Sequence, residues 1–448
     1  MIRYHARWVL PIASAPIEHG TVVEDDGRIA YVGPRSGAPH GDDVELGEVI
    51  LLPGLVNAHC HLELTAMRGF LDGLDFREWI VRLTSARRAV LTDEMMLDAA
   101  RLGVEEGLRA GITTFADTGD SGTGFTAMLA AGVRGICFRE AFGPAPAQCA
   151  ESVQALREKV GQMRVSESPL VRVGVSPHAP YTVSDELFVA TAALARELGA
   201  PLAIHIAESA LESELVERAE GAFADALRSR GIPVAARASS PVALLERLGV
   251  LRERPLLIHC VRVNEDDIGR LARHDCAVAH CPASNARLGH GTAPLRALLD
   301  AGIRTGIGSD SVASNDRMDL LDEARLASLM SNARECRHDA LPAAAAIELA
   351  TLGGARALGL ESEVGTLEPG KSADLAAFPI AGHRRPVHDP AAALLYSISG
   401  AAASLVTVAG RVLARDGRVE GADPALPERV QRSADLLSAW LGSHYSSP

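Results

Sequence analysis

Aromatic residues are scarce in this sequence, at 4% of 448 residues. That argues against the stacking platforms that hold single-stranded nucleic acid. Positive charge is in deficit as well, with a formal net charge of −13. An acidic surface is a poor match for nucleic acid or an anionic membrane. No apolar run approaches the ~20 residues that span a bilayer. The opening "MIRYHARWVLPIASAPIEHG" lacks the long apolar core of a secretory signal. Seven cysteines occur with no CxxC pair. Such a set reads as reduced thiols, hence a cytoplasmic protein. What is present, 47% hydrophobic and 23% charged residues, describes a globular chain with room for one large domain and a small one.

Both ends of the chain read as short strands. "TVVEDDGRIAYVG" alternates around an Asp-Gly pair, and "ASLVTVAGRVLARDGRV" carries a second one. Residues 1–50 and 361–430 are therefore expected to form one composite small β-domain. Residues 431–448 are expected to add a helix and a frayed tail, "YSSP". Between them, residues 51–360 alternate. Eight apolar runs, from "GLVNAHCH" through "VRVGVSPHAP" and "PLAIHIAES" to "IRTGIGSDS", are separated by helical patterns. Strands buried on both faces do not alternate, so these runs point to a (β/α)8 barrel.

The ends of the runs carry the chemistry. "NAHCH" places His59 and His61 two residues apart, which on a strand is one face. The fourth run ends at His178, the fifth at His205, the sixth at His259 and the eighth at Asp310. In a barrel the C-terminal strand ends build the active site. Imidazoles and a carboxylate around an open position describe a catalytic Zn²⁺ or Fe²⁺ site. Any one of these histidines alone would read as a hydrogen-bonded strand end. Their convergence in barrel order carries the argument. His5, His19, His40, His274, His338, His383, His388 and His444 read as surface residues, while His280 and His290 are intermediate and are not expected to be ligands.

The motifs "PGLVNAHCH", "HIAES", "LIHC", "HCPASNARLGHG" and "GIGSDSVASNDRMDL" resemble the amidohydrolase superfamily. Within it, the chain resembles the branch of adenosine-type, S-adenosylhomocysteine and guanine deaminases and triazine chlorohydrolases. "GTLEPGKSADLAAF" resembles the return to that superfamily's small β-sandwich. The resemblance implies an α/β fold, a TIM barrel with a small β-sandwich built from both chain ends. It implies His59, His61, His205 and Asp310 as metal ligands. The fourth strand offers His178 and no carboxylated lysine, so one divalent metal ion per subunit is implied. By the same resemblance Glu208 is a proton shuttle, His259 orients the attacking water, and Asp310 also takes the water proton. The plainer reading of Glu208 is an ordinary acid at a helix start, but its position beside His205 favours the catalytic role.

The implied activity is hydrolytic deamination of an adenine nucleoside, by metal-activated water attack on purine C6 with loss of ammonia. The first expected substrate is 6-aminodeoxyfutalosine, a menaquinone precursor. The alternatives are a methylthioadenosine/S-adenosylhomocysteine or guanine-type deaminase, then a triazine-type chlorohydrolase or a non-catalytic metal-stabilised barrel. Glu208 and His259 together favour amine loss, since ammonia departure needs a delivered proton. His178 resembles a substrate-contacting histidine of this branch. Glu63, in "HCHLELT", resembles an acid of aminodeoxyfutalosine deaminases, and Trp79 a tryptophan of S-adenosylhomocysteine deaminases. Where the latter enzymes carry a ribose-binding glutamate, this chain has Arg87 and Arg88. An arginine there is suited to a substrate carboxylate. Arg139 and Glu140 end the third run and are further pocket candidates. The expected partner is a small nucleoside or purine-like molecule, with neither nucleic acid nor membrane, and a homodimer is left open. Residues 209–248 are expected to lie over the barrel mouth, as a lid or a static cover.

Overall fold

The computed structural model describes residues 1–445. Eight strands alternate with helices through the middle of the chain. They are β5 (Leu55–Cys60), β6 (Ile112–Gly119), β7 (Arg134–Ala141), β8 (Val171–Pro177), β9 (Ala203–Ile206), β10 (Leu256–His259), β11 (Ala277–His280) and β12 (Arg304–Ile307). All their pairings are parallel, in two runs, β5 to β8 and β9 to β12. Parallel bridges Val175↔Leu202 and Cys60↔Asp310 join the runs into a closed barrel.

The strands are buried on both faces, which is why their sequences do not alternate. One set of strand side chains, including Ala58, Ala116, Phe138, Ile258 and Ala279, forms one cluster. The other, including Leu55, Cys60, Phe115, Ile204 and Leu257, packs against the surrounding helices. Gly308, after β12, is needed where it stands. A β-carbon there would lie 2.9 Å from the His59 β-carbon and 3.0 Å from Cys281 Sγ.

Four strands precede the barrel: β1 (Ile2–Val9), β2 (Ile17–Asp25), β3 (Arg28–Pro34) and β4 (Asp42–Pro53). Four follow it: β13 (Leu375–Pro379), β14 (Leu405–Val408), β15 (Arg411–Arg415) and β16 (Arg418–Val419). They form one mixed sheet in the order β16-β15-β14-β13-β4-β1-β2-β3. Asp26-Gly27 and Asp416-Gly417 have positive φ at both residues, the conformation that tight hairpin turns demand. The two ends meet where β4 pairs with β13, Pro53 opposite Leu375 and Ile50 opposite Phe378. Arg134 of β7 pins this sheet to the barrel, with Nε 2.9 Å from Asp374 Oδ2 and Nη2 2.9 Å from Ser372 Oγ, all buried.

The last helix spans Leu426–His444 and so begins a few residues before 431. It packs on the first two helices, α1 (Phe76–Val90) and α2 (Asp93–Arg109). Tyr445 holds the Arg82 guanidinium over its ring at 4.4 Å. The rest of "YSSP", residues 446–448, lies outside the described residues. All seven cysteines are free, and no described helix is long and apolar enough to cross a membrane.

Candidate active site

The expected ligands converge at one mouth of the barrel. The pairing register of β5 shifts between Asn57 and Cys60. Asn57 bridges to the loop after β12, where its side chain meets Ser309 Oγ at 2.8 Å and the Ser309 peptide at 3.0 Å. The Asp310 peptide N–H donates to the His59 carbonyl at 3.0 Å. His59 Nδ1 lies 3.2 Å from Thr118 Oγ1, and its Nε2 meets Asp310 Oδ1 at 3.2 Å. His61 Nε2 lies 3.5 Å from the same oxygen, and His205 Nε2 is 3.4 Å from His61 Nε2. The two latter rings are stacked, 15° from parallel.

Burial holds these imidazoles neutral. It lowers His59 to about 4, lowers His61, and takes His205 well below its ordinary value. Burial works against the ionised Asp310, but His59 and His259 outweigh it and hold Asp310 well below the carboxylate range. Two overlapping groups could hold a divalent cation: His59, His61 and His205 bring one donor atom each within 4.8 Å of one another, and so do His59, His259 and Asp310. Asp310 Oδ2 accepts from Ser284 Oγ at 2.5 Å, so Oδ1 is the oxygen left to the cation.

His259 and Asp310 stand at positive φ, 76° and 57°, and Ala207 at 52°. Non-glycine residues pay for that conformation, and such strain concentrates at functional sites. At β9 it turns the chain so that Glu208 enters the mouth. The fully buried Glu212 carboxylate fixes the turn, accepting from the Ala207 peptide at 2.8 Å and the Glu208 peptide at 2.9 Å. Burial raises Glu212 to about 8. Glu208 Oε1 faces His259 Nε2 at 3.7 Å and His290 Nε2 at 3.2 Å. Burial pushes Glu208 up, and the two imidazoles outweigh it and hold it low. His259 Nδ1 is 2.9 Å from Asn285 Oδ1. Glu212 and Asn285 are the residues that sequence reading missed, while His290, an intermediate case there, faces Glu208. All three lie in or beside the "HIAES" and "HCPASNARLGHG" motifs, and those motifs were their only signal.

A cleft leads from these groups to the surface. Its apolar wall includes Phe76, Trp79, Leu83 and Leu288, and its polar end holds Glu63, Arg87, Asp120 and Glu140. Asp75 caps α1 by accepting from the Glu78 peptide at 2.9 Å, and α1 buries Phe76, Trp79, Leu83 and Ala86. His178 lines the cleft and is held through Nδ1 by Thr182 Oγ1 at 2.8 Å; burial lowers it to about 3. Burial, with Asp120 and Glu63 close by, drives Glu140 well above its usual range.

The remaining candidates divide. Arg87 lines the cleft, but its guanidinium is taken by Glu63 Oε1 at 2.6 Å and by Asp120. Arg88, one residue on, is exposed on another side of α1 and does not line the cleft. Arg139 is buried beside Gly122 and also lies off the cleft. Glu63 is buried, and His5 is no surface residue, being buried against Thr21 and Asp43. In the 209–248 segment, Phe223 stacks on Tyr181 at 4.3 Å and Arg237 binds Asp185 and the Pro180 carbonyl. It packs behind the cleft lining, with Phe223 against Phe76 and Tyr181.

Comparison with known proteins agrees with this layout. A 5-methylthioadenosine/S-adenosylhomocysteine deaminase of Moorella thermoacetica is 34% identical over 428 residues, 93% of this chain and 94% of that one. A zinc-bound adenosine deaminase of Xanthomonas campestris superposes with a TM-score of 0.88 at 29% identity, covering 98% of each chain. A zinc complex of atrazine chlorohydrolase from Arthrobacter aurescens TC1 gives 0.83 at 28%, covering 98% of this chain and 100% of that one. The amidohydrolase family model matches residues 50–413, from the end of the first sheet segment through every strand of the barrel. With its histidine pair, its strand-end donors and its buried acid all within that match, this chain belongs to the amidohydrolase family.

Proposed function

We propose that the protein is a mononuclear zinc-type aminohydrolase that removes the 6-amino group of an adenine nucleoside carrying an apolar 5′ substituent, as in methylthioadenosine. The observation that carries this reading is the cleft. A proton-carrying Glu208 stands at its metal end, an apolar wall of Phe76, Trp79 and Leu83 flanks it, and an acid-rich polar end follows. Carboxylates suit ribose hydroxyls, and aromatic rings suit a purine and a thioether.

His59, His61, His205 and Asp310 would hold a divalent cation, which would supply the charge that acidifies a water near neutral pH. The protein's own groups then manage the protons. Water oxygen adds to C6, and its proton passes to Asp310. Glu208, ionised at rest and fixed by Glu212 and His290, takes the water's other proton and delivers it to the neighbouring ring nitrogen. His259 is locked by Asn285 with Nε2 turned to the site and holds the water in line. The C6–N bond breaks, and the proton gathered at Asp310 leaves with ammonia.

A second reading, 6-aminodeoxyfutalosine, is favoured by Arg87 at the cleft, an arginine in reach of a substrate carboxylate. It requires Arg87 to leave one of its two acids. Assembly as a homodimer and a place in the cytoplasm accompany both readings. Ultraviolet assay of methylthioadenosine, S-adenosylhomocysteine, 6-aminodeoxyfutalosine, adenosine and guanine, with zinc and with anaerobic ferrous iron, decides between them. Preference for methylthioadenosine supports the first reading and preference for aminodeoxyfutalosine the second. Preference for guanine, or no turnover of any of the five, overturns both.

A further inference from the structure

His290 sits in the loop after β11, between Gly289 and Gly291, whose φ values are 73° and 104°. The preceding short helix, Pro282–Arg287, turns the chain back, and the His290 peptide N–H donates to the Asn285 carbonyl at 2.9 Å. The ring is 4% exposed and meets Phe76 edge to face at 4.4 Å. It does not line the cleft. Its Nε2 has no well-aligned hydrogen-bond acceptor, yet lies 3.2 Å from Glu208 Oε1. A buried polar nitrogen left in that state is destabilising, so its placement calls for a reason.

The reason lies in which oxygen it faces. His259 Nε2 and His290 Nε2 both approach Oε1 of Glu208, at 3.7 and 3.2 Å. Both imidazoles crowd that one oxygen, with the His290 nitrogen the nearer. The Glu208 peptide is meanwhile fixed by Glu212. The loop that carries His290 also carries Asn285, the partner of His259 Nδ1. One loop therefore sets both groups that face the reacting water and ring nitrogen.

We propose that His290 is a positioning residue for the reaction, holding Glu208 Oε1 so that Oε2 delivers the proton. This rests on the reading of Glu208 as the proton carrier. The test uses whichever nucleoside the enzyme deaminates fastest, so the substrate preference does not decide it. His290→Phe keeps the packing against Phe76 and removes the nitrogen. It is expected to lower kcat about 10- to 100-fold, the range for a misplaced reacting group, with KM and metal content unchanged. His290→Gln places an N–H near the lost Nε2 and is expected to restore most of the rate. His290→Asn, with its N–H one bond short, is not. In a Glu208→Gln background, His290→Phe is expected to cost less than about twofold more, because the two act as a unit.

The proposal is overturned by a near-normal rate in His290→Phe, by KM rising in step with the loss, by His290→Gln as poor as His290→Asn, or by a full further loss on top of Glu208→Gln. Should His290→Phe not fold, the Gln and Asn variants decide alone. A normal rate in Glu208→Gln removes the proton-carrier reading and this proposal with it. The other adverse outcomes remove only the role of His290.

Discussion

Arg87 reaches from α1 across the cleft to Glu63, its Nη2 2.6 Å from Oε1, and the same nitrogen meets Asp120. The guanidinium is thus a bridge between two acids. Arg87→Met strands the buried Glu63, and removing one partner of a buried pair costs roughly 3 kcal/mol. KM is expected to rise about equally for methylthioadenosine and aminodeoxyfutalosine. A rise confined to aminodeoxyfutalosine would show that Arg87 binds its carboxylate. Arg88→Ala, on the exposed side of the helix, is expected to shift stability by less than about 0.5 kcal/mol and to leave KM unchanged.

Glu208 is outside the donor set, so Glu208→Gln is expected to retain one equivalent of metal while kcat falls at least ~10²-fold. Metal analysis and steady-state kinetics on the same preparation check this. Loss of metal would place Glu208 among the ligands.

Metal affinity is expected to be nearly flat with pH down to about 5.5. The sign follows from the donors. A proton competes with the cation only when pH nears a ligand's own pKa, and burial has lowered His59 to about 4 and taken His205 well below its ordinary value. Asp310, held low by His59 and His259 against burial, stays ionised over the same span. Affinity then falls as pH drops toward 4. Chelator competition at several pH values measures it, and a decline starting near 6.5 would mean ordinary, solvated imidazoles.

Arg134 joins the barrel to the small sheet through a buried pair with Asp374. Arg134→Met is expected to lower unfolding free energy by about 3–5 kcal/mol, with metal affinity unchanged. Denaturant unfolding of the metal-loaded protein reads the first and chelator competition the second. A stability within about 0.5 kcal/mol of the parent would show that the sheet is held by apolar contacts alone.

The barrel was legible because its strands are buried on both faces. Doubly buried strands read as unbroken apolar runs, and polar residues at their ends stand out. His59, His61, His178, His205, His259 and Asp310 all announced themselves that way. Glu208 did not, because Ala207 at positive φ breaks the alternation just before it, and only the motif pointed to it. The role of Asn285 and His290 depends on a loop folding back across the mouth, which no local period encodes. Arg87 and Arg88 looked equivalent in sequence. A helix advances about 100° per residue, and that rotation alone separates a cleft residue from a solvated one.

The pairing of β4 with β13 also has a consequence in time. Pro53 and Leu375 are neighbours across more than 300 residues of chain. At ~10 residues per second of synthesis, β4 waits about half a minute for its partner. Throughout that interval one of its edges is open to any passing strand, the kind of edge that invites aggregation. Chains stalled before residue 375 should therefore be cut readily by protease within the first 53 residues, while chains stalled beyond the last sheet strand resist. Equal resistance in both would mean that β1 to β4 close on themselves first.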